Sequence, residues 1–200
     1  MAPDQLAARH FTAQDALPDG VAAVELQRLS PVLRGLLLLD GTVSRALEAE
    51  ALRPVEVELV AHDDCEAPAA VATALRLASG ERCMRRRVVM RIAGARPTVW
   101  AESFVVPRRL PTAFLSALTA NAKGIGGSMQ ELRLESAREL LWFGLASDPD
   151  WPEPGGSVAG TLRRAYLVFT GGEPALLITE DFALKENDGV LSLAGASADG

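Results

Sequence analysis

Residues 82–106 read RCMRRRVVMRIAGARPTVWAESFVV, and this stretch decides the fold. Two runs with strand-forming residues flank Ala93-Gly94-Ala95-Arg96-Pro97, so 82–92 and 98–106 predict an antiparallel hairpin. Side chains alternate between the two faces of a strand. In the first strand Met84, Arg86, Val88, Met90 and Ile92 share one face, while Cys83, Arg85, Arg87, Val89 and Arg91 share the other. Arg85, Arg87 and Arg91 form a solvated group. Arg86 falls among large apolar side chains, where an unpaired charge would cost several kcal/mol. In the second strand Glu102 lies with Trp100, Phe104 and Val106, opposite the smaller face of Val99, Ala101, Ser103 and Val105. Either face could turn inward, so Glu102 is a candidate for a buried site or a surface residue.

A second hairpin is predicted around Gly171-Gly172-Glu173-Pro174, with strands over 163–170 and 175–184. Its last strand repeats the anomaly with opposite sign. Glu180 shares a face with Leu176, Ile178, Phe182 and Leu184, whereas Asp181 points away. If Arg86 and Glu180 face one cavity, the pair could hold a small anion and move a proton. The alternative is a buried salt bridge between them without chemistry.

Outward from these hairpins, Val55–Ala61 alternates with Glu56, Glu58 and His62 as a further strand, and 137–145 reads as another. Ser30-Pro31 is a helix start, with Ser as N-cap and Pro in the first turn. Helices are predicted from there through Leu37 to a stop at Asp40-Gly41, over Val43–Leu52, Pro68–Leu77 and Thr112–Asn121. Strands at hairpin spacing favour an α+β domain, a single antiparallel sheet with helices packed on one face. Residues 1–23 read as a flexible N-terminal arm, 24–184 as the domain and 185–200 as a flexible tail.

The chain has 200 residues, a size that suits one domain burying roughly 70% of its unfolded surface. The longest aliphatic run is Leu36–Leu39, far short of the ~20 residues of a membrane helix. The first residues lack a basic start followed by an apolar block, so neither secretion nor membrane insertion is expected. A net charge of −6 argues against nucleic-acid partners and acidic lipid surfaces. Lys123 and Lys185 are the only lysines, so anions would be met by guanidinium forks.

Cys65 and Cys83 form neither a disulfide framework nor a zinc motif, which suits a reduced, cytoplasmic protein. His62-Asp63-Asp64-Cys65 carries metal-ligand residue types, but four consecutive residues on a strand end cannot all reach one ion, and no metal is expected. Gly124-Ile125-Gly126-Gly127 lacks the Lys-Ser/Thr of a phosphate loop. It reads as a flexible crossing that could let the backbone approach a ligand.

In their order these pieces resemble the chorismate pyruvate-lyases. The block Leu36–Glu48 (LLLLDGTVSRALE) is similar to the family's aliphatic helix, Asp/Gly turn and Thr/Ser-x-Arg helix start. Met84–Met90 resembles its Arg-bearing strand, followed by a Gly94/Pro97 turn and a strand ending Val105-Val106-Pro107. Gly124-Ile125-Gly126 resembles its Pro-Leu-Gly crossing, Arg138-Glu139 its Arg-Asp/Glu strand, and Pro174–Phe182 its closing Thr-Glu strand. The resemblance is collinear over about residues 32–184, and its specificity lies in that order.

The resemblance implies an antiparallel sheet with a closed internal pocket under two flaps. It also implies removal of pyruvate from chorismate to leave 4-hydroxybenzoate, with no metal or organic cofactor. On this sequence the pocket arginine maps to Arg86 and the pocket glutamate to Glu180. Further substrate contacts map to Thr42, in the turn after the first helix, and to Ile125 and Gly126 in the crossing. Arg86 would clamp the substrate carboxylate and Glu180 would assist proton transfer. Thr42 and Ile125 depart from the family's usual residues, and a one-residue register change would bring Arg87 into the pocket. The partner expected is a small dicarboxylate, with no obligate protein partner. Two other readings share the fold: a non-catalytic ligand-binding domain, and a tailoring enzyme acting on a related aromatic or cyclohexadiene acid.

Overall fold

A computed structural model of the chain describes residues 3–94, 96–120, 124–147 and 160–194. The strands are β1 (Val21–Ala22), β2 (Val55–Glu66), β3 (Arg82–Ile92), β4 (Pro97–Val105), β5 (Ala137–Ala146), β6 (Gly160–Thr170), β7 (Glu173–Asn187) and β8 (Val190–Leu193). The helices are α1 (Pro3–His10), α2 (Pro31–Leu37), α3 (Val43–Ala51), α4 (Ala69–Ala74), α5 (Thr112–Ala120) and α6 (Gly124–Glu131). The strands form one antiparallel sheet in the order β1-β5-β6-β7-β4-β3-β2, and β8 pairs with the far end of β7. This is the α+β architecture expected from the hairpin spacing. Both predicted hairpins form, β3–β4 and β6–β7, and β4 pairs with β7 to join them at the centre.

The helices follow their local signals. Ser30 accepts a hydrogen bond from the Leu33 amide and Pro31 occupies the first turn, so α2 begins where a capped helix should. Its buried Leu33, Leu36 and Leu37, with Val43 and Leu47 of α3, pack on Val99, Leu162, Phe182 and Leu184 of the sheet. Phe114 and Leu118 of α5 and Met129 of α6 cover Val105, Val168, Leu176 and Ile178 on the same face. These four helices make that face the inner one. The short α4 closes one end of the outer face, where Val71 and Leu75 meet Cys83, Phe104 and Leu167. The rest of the outer face carries ion pairs, including Arg163–Asp181 and Arg85–Glu102–Arg87.

Three segments are more ordered than their composition suggests. Around the expected N-terminal arm, α1 is followed by Phe11, which is buried with its ring centroid 4.8 Å from that of Phe143. The Gln14 side chain makes hydrogen bonds of 2.9 and 3.0 Å to the Phe143 backbone, fastening this segment to β5. In the expected tail, β7 runs on to Asn187 and β8 buries Leu191 and Leu193. The crossing at Gly124–Gly127 is the first turn of α6, entered at a Gly124 φ of +67°. Tertiary burial supplies what propensity lacks in each case.

Candidate active site

Strand alternation places the site. Arg86 on β3 pairs across with Ser103 on β4, which pairs with Ile178 on β7. One step along, Val88 pairs with Ala101, Ala101 with Glu180, and Glu180 with Arg164 of β6. The small side chains of Ala101 and Ser103 therefore sit between Arg86 and Glu180, and the sheet leaves space there. That space is a cavity lined by both of them together with Thr42, Ile125 and Gly126. Val57, Val88, Met90 and Ile178 supply an apolar wall. All five residues singled out from the sequence thus meet in one place.

The polar groups are held deep. Arg86 is 1% exposed and Glu180 3%. Burial pulls the Arg86 pKa down to about 10, which still leaves the side chain cationic at neutral pH. The partners that hold Glu180 lie on β6, which sequence reasoning did not single out. Arg164 Nε donates to Glu180 Oε2 at 2.7 Å, and the Tyr166 hydroxyl donates to Oε1 at 3.0 Å. Burial, reinforced by the neighbouring Glu180 charge, pushes the Tyr166 phenol above its ordinary range, so it remains a donor.

Arg164 is fully buried and also donates to the carbonyls of Leu36, Leu37 and Leu39. Those carbonyls lie at and just beyond the end of α2, where the regular helical pairing of C=O groups runs out. One guanidinium thus links the end of α2 to the acid of the cavity. Arg164 and Tyr166 share the inward face of β6 with Leu162 and Val168. The rule that picked out Arg86 and Glu180 picks them out as well.

The walls opposite the sheet come from two helix starts. Thr42 precedes α3 with its hydroxyl making no cap bond, and α6 brings Ile125 and Gly126 alongside. A Cβ built on Gly126 would lie 2.9 Å from Thr42 Oγ1 and 3.0 Å from its Cγ2. Glycine there lets the two helix starts close over the cavity. Arg138 of β5 completes the lining and bonds the Gly41 carbonyl in the turn before Thr42.

Two open alternatives close on the outer face. Glu102 is with Arg85 and Arg87, its Oε1 accepting at 2.7 and 2.8 Å, so neither Glu102 nor Arg87 lines this cavity. The smaller face of β4 is the inward one. The segment His62–Cys65 lies within β2, and the described residues contain no group of three or more His, Cys, Asp or Glu placed to hold a metal ion. No helix among the described residues is long and apolar enough to cross a membrane.

A family model described as chorismate pyruvate-lyase Rv2949c-like matches residues 37–188. The chorismate pyruvate-lyase of Mycobacterium leprae (strain TN) is 28% identical over 168 residues, covering 79% of this chain and 77% of its own. That of Mycobacterium tuberculosis (strain CDC 1551 / Oshkosh) is 27% identical over 164 residues, covering 79% and 82%. Among solved structures, gene product SA0254 from Staphylococcus aureus subsp. aureus N315 superimposes with a TM-score of 0.52 at 13% identity, over 72% of this chain and 88% of that one. That likeness is one of fold. With three quarters of its length inside the family model, the chain belongs to the Rv2949c-like chorismate pyruvate-lyase family.

Proposed function

We propose that the protein eliminates pyruvate from chorismate and leaves 4-hydroxybenzoate. The observation that carries this reading is the joint presence of Arg86 and Glu180 in one buried, mostly apolar cavity. Arg86 clamps the ring carboxylate through two parallel N–H···O bonds, the strongest geometry a guanidinium offers. Glu180, steadied by Arg164 and Tyr166, turns toward the ring hydroxyl and the hydrogen on the same carbon. Elimination breaks that C–H bond and the C–O bond to the enolpyruvyl group. The electron pair of the C–H bond completes the aromatic ring, and the departing enolpyruvate takes up the proton as it becomes pyruvate. The balance involves no change of oxidant or reductant.

Glu180 assists the proton on its way, a role worth roughly 10²–10⁴-fold in rate when a side chain is well placed. The remaining acceleration comes from holding the substrate in a reactive conformer away from water. Thr42, Ile125 and Gly126 shape the lid over the ring. The partner is a small dicarboxylate, and the chemistry suits a protein working in the cytoplasm.

The test is a chorismate assay read by ultraviolet absorbance and by coupled pyruvate detection, with Glu180→Gln and Arg86→Ala alongside. Wild type should give pyruvate and 4-hydroxybenzoate in equal amounts. Each variant should lose roughly a hundredfold or more in kcat/KM. Binding of chorismate without turnover would make this a ligand-holding domain of the same fold. Neither turnover nor a melting-temperature shift would end the chorismate reading.

A further inference from the structure

We propose that Arg138 anchors a second carboxylate of the substrate and thereby lets the cavity tell a dicarboxylate from a monocarboxylate. This rests on the chorismate reading above and adds a residue to it. Arg138 enters the cavity from β5, whereas Arg86 enters from β3. Three strands, β4, β7 and β6, lie between them, a separation of roughly 19 Å measured along the sheet at the usual strand spacing. A ligand that meets both side chains carries acidic groups at two ends.

The lining suits the same shape of ligand. Among the described residues, the charged side chains lining the cavity are Arg86, Arg138 and Glu180, and Arg164 stands directly behind Glu180. The Arg138 side chain is only 12% exposed, and its carboxylate neighbour Asp40 lies 3.8 Å away with 81% exposure. Asp40 is therefore a hydrated partner of little strength. The guanidinium also sits over the Tyr166 ring, 5.4 Å from its centre, which fixes its plane beside the acid site.

The chemistry gives this second anchor a purpose. The enolpyruvyl group carries its own carboxylate and leaves as pyruvate, so the aromatic product has one acid where the substrate had two. Contacts from Arg138 act on the substrate and vanish for the aromatic product. Arg86 holds both. Arg138 is thus a specificity residue, and Arg86 also bears on product retention.

The experiment compares Arg138→Gln and Arg138→Lys with wild type by calorimetric titration and steady-state kinetics. The probes are 4-hydroxybenzoate, an aromatic monocarboxylate, and 3-(carboxymethoxy)benzoate, an unreactive aromatic ether with two carboxylates. In Arg138→Gln, affinity for the dicarboxylate should fall and the KM for chorismate should rise, each roughly ten- to a hundredfold, with a smaller change in kcat. Affinity for 4-hydroxybenzoate should stay within about twofold, since no direct bond to it is removed. Arg138→Lys should recover part of the loss, because a point charge replaces a planar fork.

Equal losses for both probes would reduce Arg138 to a strut for the Gly41 turn and overturn the proposal, as would no loss for either. Failure of the wild type to turn over chorismate sinks the lyase reading by itself. The Arg138 assignment survives that result when the wild type prefers the dicarboxylate probe and Arg138→Gln abolishes the preference. It falls when the wild type shows no preference.

Discussion

The two faces of the sheet use the same residue types for opposite ends. On the outer face Arg163 grips Asp181 through two hydrogen bonds of 2.6 and 2.7 Å, and Glu102 accepts from Arg85 and Arg87. On the inner face, one residue along each strand, Arg164 holds Glu180 and Arg86 lines the cavity. Arg87 and Glu102 have side chains 22% and 24% exposed, while Arg164 is fully buried. The Arg85–Glu102–Arg87 group is thus solvent-softened and the Arg164–Glu180 pair desolvated, while Arg163–Asp181 lies between them with side chains 21% and 2% exposed. Attraction and desolvation cost both grow as water leaves, so the Arg164–Glu180 pair has more energy at stake than the Glu102 group.

The largest effect should come from breaking the inner pair. Arg164→Met strands the Glu180 carboxylate in the core and should destabilise the fold by about 3–5 kcal/mol, measured by urea denaturation. Arg87→Gln on the outer face should cost about 1 kcal/mol or less in the same assay. Equal costs would erase the distinction between the faces. The double change Arg164→Met with Glu180→Leu sharpens it, because replacing both charges should recover most of the lost stability while leaving the protein inactive.

Next in size is Tyr166→Phe, which removes one donor to Glu180 and leaves Arg164 in place. It should cost about 1.5–2 kcal/mol of stability, the worth of a hydrogen bond to a charged group. Its kcat should fall more than its KM rises if the Tyr166–Glu180 bond orients the acid, as steady-state kinetics would show.

The smallest effect belongs to the outer face beneath α4. Cys83 is buried, and burial together with its contact to Cys65, 3.9 Å between sulfurs, pushes its thiol up to about 12. Cys65 is half-buried. At mildly alkaline pH iodoacetamide should label Cys65 first, with Cys83 reacting only on unfolding, as peptide mass mapping would show. The folded thiol keeps its proton above the ordinary value of 9.0. Its contribution to stability is therefore complete below about pH 9 and declines as pH rises toward about 12. A Cys83→Ala variant should lack that alkaline decline.

Much of the site was legible because a strand is a local ruler. A period of two assigns every side chain of 82–92 and 175–184 to a face without knowledge of its neighbours. Arg86 and Glu180 stood out for that reason. The same ruler laid on 160–170 would have marked Arg164 and Tyr166, but on 137–146 the bulge after Leu140 breaks it, and Arg138 and Glu139 both fall among apolar side chains. Composition did not point to α1, β8 or α6, which lie within 1–23, within 185–200 and from Gly124 onward; residues 1–2 and 195–200 of the expected arm and tail lie outside the described residues. An Ala-rich arm, a polar tail and a glycine run have weak intrinsic preferences, yet Phe11, Leu191, Leu193 and Met129 give each segment something to bury.

What the sequence determined by itself was therefore the direction of each side chain and the antiparallel, hairpin-built class of the sheet. Which arginine meets Glu180 was settled by tertiary structure alone. Strand order sets β6 beside β7 and inserts β4, with its small Ala101 and Ser103, between β3 and β7. That order makes Arg164 the neighbour of the acid and leaves Arg86 across an open space. Periodicity is encoded within ten residues of chain. Adjacency between strands far apart in sequence is a property of the whole packed sheet.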